Sequence, residues 1–353
     1  MAADSRLDEL LDLVVAQGAS DVHVFAGGPP MLRISGALIP LVKYPALAPG
    51  ETEAMLKSIV PADRWEVFLN AQSVDLSYAH KKEIRFRVNG YRTQGSVAFA
   101  MRLIPHSVRT FTELNLPSVL ETFTQREQGF FLAVGPVGQG KSTTLATMIN
   151  RINESRTEHI LTIEDPVEYL FTPQKSLIHQ REVYVDTPDF HTALQNAFRE
   201  DVDIIMVGEM RDYETISSAV TAAETGHLVF STLHTNTAAQ TIDRIIDMFP
   251  AEQQQQVRIQ LAGSLAGIFS QRLIPRISGG LIPACELLIN NNAISTLIRD
   301  GRTHEINTVI QTSSQEGMID MDRSLAELVR RGEVTVEHAY EHAIDPKSFE
   351  NNL

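Results

Sequence analysis

Eight consecutive residues, Gly135-Pro136-Val137-Gly138-Gln139-Gly140-Lys141-Ser142, spell G-x-x-x-x-G-K-S. A polyphosphate needs several backbone N–H groups converging on it. That demands glycines, which accept unusual φ and let the backbone come close, followed by a helix N-terminus pointing at the anion. In such a loop the Lys141 ammonium reaches the β and γ phosphates and the Ser142 hydroxyl ligates Mg²⁺, with Thr143 opening the helix behind them. The apolar run 130–134 before the motif reads as a strand and residues 143–150 as a helix, the context this loop requires. A nucleoside polyphosphate and Mg²⁺ are therefore the expected ligands.

Residues 160–163 form a mostly apolar run that ends in Glu164-Asp165-Pro166. Ligands of an open parallel sheet sit at the carboxyl ends of its strands, so Glu164 is placed to orient or deprotonate an attacking water. Glu168, farther along, reads as a solvated loop acid. Residues 203–209, Asp-Ile-Ile-Met-Val-Gly-Glu, have a Walker B type layout. There Glu209 at the strand tip can touch the hydration shell of Mg²⁺, whereas Asp203 at the strand's start cannot. Another strand is bracketed by His227 and His234. Seven extended residues span roughly 23 Å, so only one of the two histidines can lie at the nucleotide. His234, at the carboxyl end, is that one; His227 reads as a core or subunit-contact residue. The same separation argues against zinc, as does a single cysteine, Cys285.

These residues need a parallel sheet behind them. From Gly129 onward, apolar runs at 130–134, 159–163, 202–207 and 228–232 alternate with helical-length segments, the pattern of βα units. Short helices are expected at 293–299, 324–331 and 337–343. Before this engine lies a different pattern. Leu7, Leu10, Leu11, Val14 and Val15 form the apolar stripe of an amphipathic helix, and strand-like runs follow at 21–25, 31–34, 74–78, 84–88 and 95–103. Asn89-Gly90 reads as the turn between the last two runs. His23 alternates with Val22 and Val24 and reads as structural. The expected division is an α+β domain over 1–105, a linker over 106–128, and an α/β domain over 129–353 whose C-terminal helical portion starts near 285.

A chain of 353 residues fits two domains. With 43% hydrophobic and 21% charged residues, a disordered or disulfide-stapled chain is excluded. The acidic first residues and the lack of any long apolar run argue against a signal peptide or membrane span, and one cysteine suits a reducing compartment, the cytoplasm. Residues 1–110 hold 12 Lys/Arg against 11 Asp/Glu, leaving 18 against 33 in the remainder, a net of −15. So acidic a body repels phosphate backbones, and no nucleic-acid partner is expected.

The chain resembles the hexameric RecA-like ATPases of type IV pilus and type II secretion machines, and most of all the pilus retraction type. Gln17-Gly18-Ala19-Ser20-Asp21-Val22-His23 and Gly28-Pro29-Pro30-Met31-Leu32-Arg33 are similar to the family's N-terminal signature. Walker A, the Asp box at 160–168, Walker B with Gly208-Glu209-Met210-Arg211-Asp212, and the His box at 221–235 follow in family order. Residues 241–247 and 297–302 resemble retraction-type members too. The resemblance implies a PAS-like N-terminal domain, a RecA-like P-loop ATPase domain with C-terminal helices, and a homohexameric ring. It makes Glu164 the general base, Glu209 the magnesium residue and His234 a γ-phosphate sensor; Arg102 and Arg244 are candidate phosphate-facing arginines. It implies a cytoplasmic motor at the inner face of the membrane, acting on the pilus platform protein, alongside a second retraction or assembly ATPase. An auxiliary retraction ATPase and a hexameric nucleic-acid translocase are the alternatives. Three positions depart from the family pattern: Val137 and Gln139 in the loop, and Ser295 where retraction members carry arginine. One cysteine excludes the four-cysteine zinc insert of assembly-type relatives.

Overall fold

The computed structural model describes residues 2–34, 36–81, 84–105 and 107–353. Met1, Ser35, Lys82, Glu83 and His106, the first residue of the expected linker, lie outside the described residues. The chain packs as two compact units: residues 1–107 with 166–170, and residues 108–165 with 171–353.

The first unit is an antiparallel sheet of six strands: β1 (Asp21–Val24), β2 (Met31–Ile34), β3 (Ala37–Pro40), β4 (Ser73–His80), β5 (Ile84–Thr93) and β6 (Ser96–Ile104). Their spatial order is β3-β2-β1-β6-β5-β4. Leu7, Leu10, Leu11 and Val14, from the helix Ala2–Ala16, join Met55, Leu56 and Phe68 from two later helices in one core with Phe86, Val88, Phe99 and Met101 of the sheet. Those two helices, Pro49–Ile59 and Ala62–Ala71, and strand β3 carry no strong periodic signal in the sequence.

The structure corrects one turn. Asn89-Gly90 lies inside β5, and the chain reverses at Gln94-Gly95, both at positive φ. Gly90 is a glycine for packing: a Cβ there would stand 2.6 Å from Leu56 Cδ2, so its bare surface lets the helix Pro49–Ile59 seat on the sheet.

The second unit is a sheet of seven strands: β7 (Gly129–Val134), β8 (His159–Glu164), β9 (Leu177–Glu182), β10 (Ile204–Val207), β11 (Leu228–Leu233), β12 (Leu265–Pro275) and β13 (Leu281–Ile289). The order is β13-β12-β7-β11-β10-β8-β9, parallel throughout except for the antiparallel β12–β13 hairpin. Strands β7, β10 and β11 are buried along their whole length, as a sheet covered on both faces requires. Residues 108–128 fold as turns and the short helix Leu120–Phe123, with Phe123 stacked 4.8 Å from Phe131 of β7. A Cβ at Gly267 would meet that Phe123 ring at 2.7 Å, so β12 passes beneath it as glycine. C-terminal helices Asn292–Asp300, Met321–Arg330 and Val336–Glu341 close the unit.

Candidate active site

In a parallel sheet, neighbouring strands end together. The register pairs Leu233 with Val134, Val207 with Ser231 and Val207 with Ile163, so β7, β11, β10 and β8 finish side by side. Each hands the chain to a loop that carries one residue singled out above. The loop after β7 leads to Lys141, β11 runs into His234, β10 leads to Glu209, and β8 ends on Glu164.

The glycine-rich loop turns directly from β7 into the helix Lys141–Ser155. Gly135 has φ of +140°, and a Cβ on it would lie 2.5 Å from the Gln271 carbonyl oxygen. Only glycine lets the loop pass this close to β12. Gln271 is buried and accepts the Thr144 hydroxyl hydrogen at 2.7 Å, tying β12 to the first turn of the loop's helix. Gln139 receives the Leu273 N–H at 2.7 Å, so this departure from the family pattern fastens the loop to the same strand. Val137 is 80% exposed and fastens nothing. Ser142 and Thr143 sit in the helix's first turn, behind the Gly135–Pro136–Val137–Gly138–Gln139–Gly140 arc.

Lys141 is buried at the foot of this arc. Its ammonium donates to the carbonyls of Gly135 and Pro136 at 2.8 and 2.9 Å and to His234 Nδ1 at 3.2 Å. An ammonium has no lone pair, so His234 Nδ1 must accept, and Nε2 carries the ring hydrogen. That nitrogen lies 3.0 Å from Glu209 Oε1, while Glu209 Oε2 receives Arg211 Nη2 at 2.8 Å. Walker A, the His box and Walker B are thus joined as Lys141–His234–Glu209–Arg211. Burial pushes the Glu209 carboxyl up, but the Arg211 hydrogen bond and the charges of Arg211 and Lys141 outweigh it. The group stays ionised below the usual glutamate range.

Glu164 is 4% exposed. Thr162 and Gln180 both donate to its Oε1, at 2.7 and 3.3 Å, which fixes the carboxylate's orientation from β8 and β9. Gly208, just beyond β10, packs beside it: a Cβ there would stand 3.3 Å from the Ile163 carbonyl oxygen and 3.5 Å from Glu164 Cα.

Other sequence candidates stand apart from this cluster. His227, at the amino end of β11, bonds the Ala222 carbonyl at 3.1 Å and meets the Phe198 ring edge-on. Arg244 is exposed near the end of the helix Ala238–Asp247. Arg102 lies in the first unit, where its Nε donates to Asp21 at 2.7 Å, and Glu168 stands 4.0 Å from Arg87 in that unit. His23 is partly buried, with an Nε2 that finds no hydrogen-bond partner, and burial pushes it toward the neutral form.

Sequence reasoning left four residues of the site without roles. Arg211, inside the Walker B segment, is visible as a cation two residues from an acid. Thr162 and Gln180 carry no signal until β8 and β9 pair. Gln271 comes from a strand some 130 residues downstream of the loop it braces, by the spacing of Gly140 and Gln271.

The donor set fits a hard divalent cation: a hydroxyl at Ser142, beyond β7, and an ionised carboxylate at Glu209, beyond β10, both at the carboxyl edge of the sheet. Among the described residues no group of three or more His, Cys, Asp or Glu forms a metal cage. A nucleotide-borne Mg²⁺ needs none, since phosphates and water supply most of its shell.

Residues 3–345 match the family described as type II/IV secretion system protein. The type IV pilus retractation ATPase PilT of Pseudomonas aeruginosa is 43% identical over 343 residues, covering 97% of this chain and 99% of that protein. The type IV pilus ATPase PilU of the same organism is 37% identical over 339 residues, covering 96% and 88%. A crystal structure of the pilus retraction motor PilT with bound ADP superposes with a TM-score of 0.90 at 45% identity, covering 98% of both chains.

Proposed function

From its membership of the type II/IV secretion system protein family, we infer that this chain is an ATPase that powers type IV pilus retraction. It hydrolyses ATP at the carboxyl edge of the second unit's sheet. The observation that carries this reading is the continuous bonding of Lys141, His234, Glu209 and Arg211 across three loops, with Glu164 on the next strand.

Phosphoryl transfer asks the protein mainly for positioning and electrostatic stabilisation. The γ-phosphate offers Lys141 anionic acceptors in place of two neutral carbonyls, adding ion–ion attraction to bonds whose donor is already charged. When Lys141 turns to the phosphate, His234 Nδ1 loses its donor, so the histidine registers the γ-phosphate and passes the change to Glu209. Glu164, buried and oriented by Thr162 and Gln180, takes the proton of the attacking water. Ser142 and Glu209 would hold Mg²⁺, which when bound neutralises charge on the β and γ oxygens. Gly135 to Gly140 and Thr143 supply the cradle.

The finer parts of the reading rest on resemblance. The six-stranded antiparallel sheet with its helical core supports a PAS-like first domain over 1–105, followed by the 106–128 linker. The parallel sheet supports a RecA-like second domain over 129–353. We place six chains in a ring, with Arg102 and Arg244 turned toward phosphate on assembly. The motor works in the cytoplasm, against the platform protein at the inner membrane face. No described helix is long and apolar enough to cross a membrane. The higher identity to PilT than to PilU favours a principal motor over an auxiliary one.

The test is retraction of labelled pili in a strain lacking this gene, complemented with the wild type or with Lys141→Ala. Retraction returns with the wild type alone. Normal retraction in the uncomplemented strain, with no second retraction ATPase present, contradicts the reading.

A further inference from the structure

Glu286 is a buried acid that the mechanism above does not use. It sits on β13 at 3% exposure, and its Oε1 receives the Ala238 N–H at 2.7 Å. Ala238 is the first residue of the helix Ala238–Asp247, only four residues beyond His234. Directly opposite Glu286 in the β12–β13 register is Ser270. The Ser270 hydroxyl donates to the Asn236 carbonyl at 2.8 Å. Two cross-paired side chains of the hairpin therefore grip the segment that leaves His234, one by an N–H and the other by a carbonyl two residues earlier.

Among the described residues, the segment's other side-chain hydrogen bonds lie within it. Thr235 and Thr241 share a hydrogen bond at 2.6 Å, and Thr237 caps the helix through the Gln240 N–H. Those contacts shape the turn internally; Glu286 and Ser270 fix where it stands against the sheet. His234 must keep both ring nitrogens aligned, Nδ1 to Lys141 and Nε2 to Glu209, so a shift of the segment breaks the line at two bonds at once.

We propose that Glu286, backed by Ser270, is a positioning residue for ATP hydrolysis, holding the segment after His234 so that the histidine bridges Lys141 and Glu209. This rests on the role given to His234 above. The surroundings of Glu286 are mixed: burial raises its carboxyl, the Ala238 N–H lowers it, Asp320 raises it, Arg272 lowers it and Asp322 raises it, for a result of about 7. An acid so close to neutral is replaceable by an uncharged acceptor of the same shape. Glutamine keeps that acceptor, whereas alanine removes it and leaves the Ala238 N–H buried without a partner.

The experiment is a double-mutant cycle on the assembled protein, reading steady-state ATP turnover and ADP affinity. Glu286→Ala is expected to lower kcat between about 10- and 100-fold, the scale of a small misplacement of a reacting group. ADP lacks the phosphate that His234 senses, so its affinity stays at the wild-type value. Glu286→Gln restores most of the turnover. In a His234→Ala background, Glu286→Ala costs nothing further, because the residue it positions is gone. Ser270→Ala behaves as a milder copy and serves where Glu286→Ala fails to fold, as judged by its melting curve. Equal losses in both backgrounds, a parallel loss of ADP affinity, or a Glu286→Gln as impaired as the alanine variant would each overturn the proposal. His234→Ala with wild-type turnover would instead sink the role of His234 itself.

Discussion

At the carboxyl end of β11, His234 stands between Lys141 and Glu209; at the amino end of the same strand, the His227 ring meets the Ala222 carbonyl and the Phe198 ring. The amino edge holds more such pairs. His159, at the start of β8, bonds the Asp201 carbonyl at 2.9 Å and His179 at 3.0 Å, and its backbone N–H is taken by Asp203 at 2.8 Å. Residue types proposed for chemistry at one edge serve as fasteners at the other. The difference is geometric. At the carboxyl edge the chain turns from strands into helix N-termini, whose N–H groups and loops converge on an anion. At the amino edge the polar side chains close off strand beginnings and each other.

This contrast yields graded outcomes. Lys141→Ala removes the cation proposed to meet the γ-phosphate, and ATP turnover falls by at least about 10²-fold, measured as phosphate release. His234→Ala leaves the phosphate cradle intact and costs between about 10- and 100-fold in kcat. His227→Ala should leave kcat at its wild-type value and cost about 1 kcal/mol of stability in a denaturant melt, the worth of one lost hydrogen bond. A kcat loss at His227 matching that at His234 would erase the distinction between the edges. Gln139→Ala strands the Leu273 N–H and lowers stability by about 1 kcal/mol, while Val137→Ala, on an exposed side chain, changes nothing measurable.

Much of this edge was legible in the sequence, because each site residue closes a local pattern: strand, tight turn, then helix or acid. The strands at 130–134, 159–163, 202–207 and 228–232 lie where the apolar runs placed them, to within a residue or two. Preferring His234 to His227 needed the length of an extended chain, which admits one of the two, and the rule that ligands sit at the carboxyl ends of parallel strands. What stayed hidden depends on distant partners. Gln271 matters because β12 returns beside β7, and Gln180 because β9 joins β8; neither shows until the sheet closes. Gly90 misled for a related reason: a glycine beside asparagine looks like a turn, but here its missing side chain makes way for Leu56. Arg102 lies paired with Asp21 in the first unit, away from the cluster its sequence position suggested.

The central claim is that Glu164, oriented by Thr162 and Gln180 at the carboxyl end of β8, activates the attacking water. Single-turnover hydrolysis of labelled ATP by Glu164→Gln tests it most directly, with ATP binding measured on the same sample. The account predicts that the variant binds ATP as tightly as the wild type and holds it unhydrolysed. Turnover at the wild-type rate would contradict it.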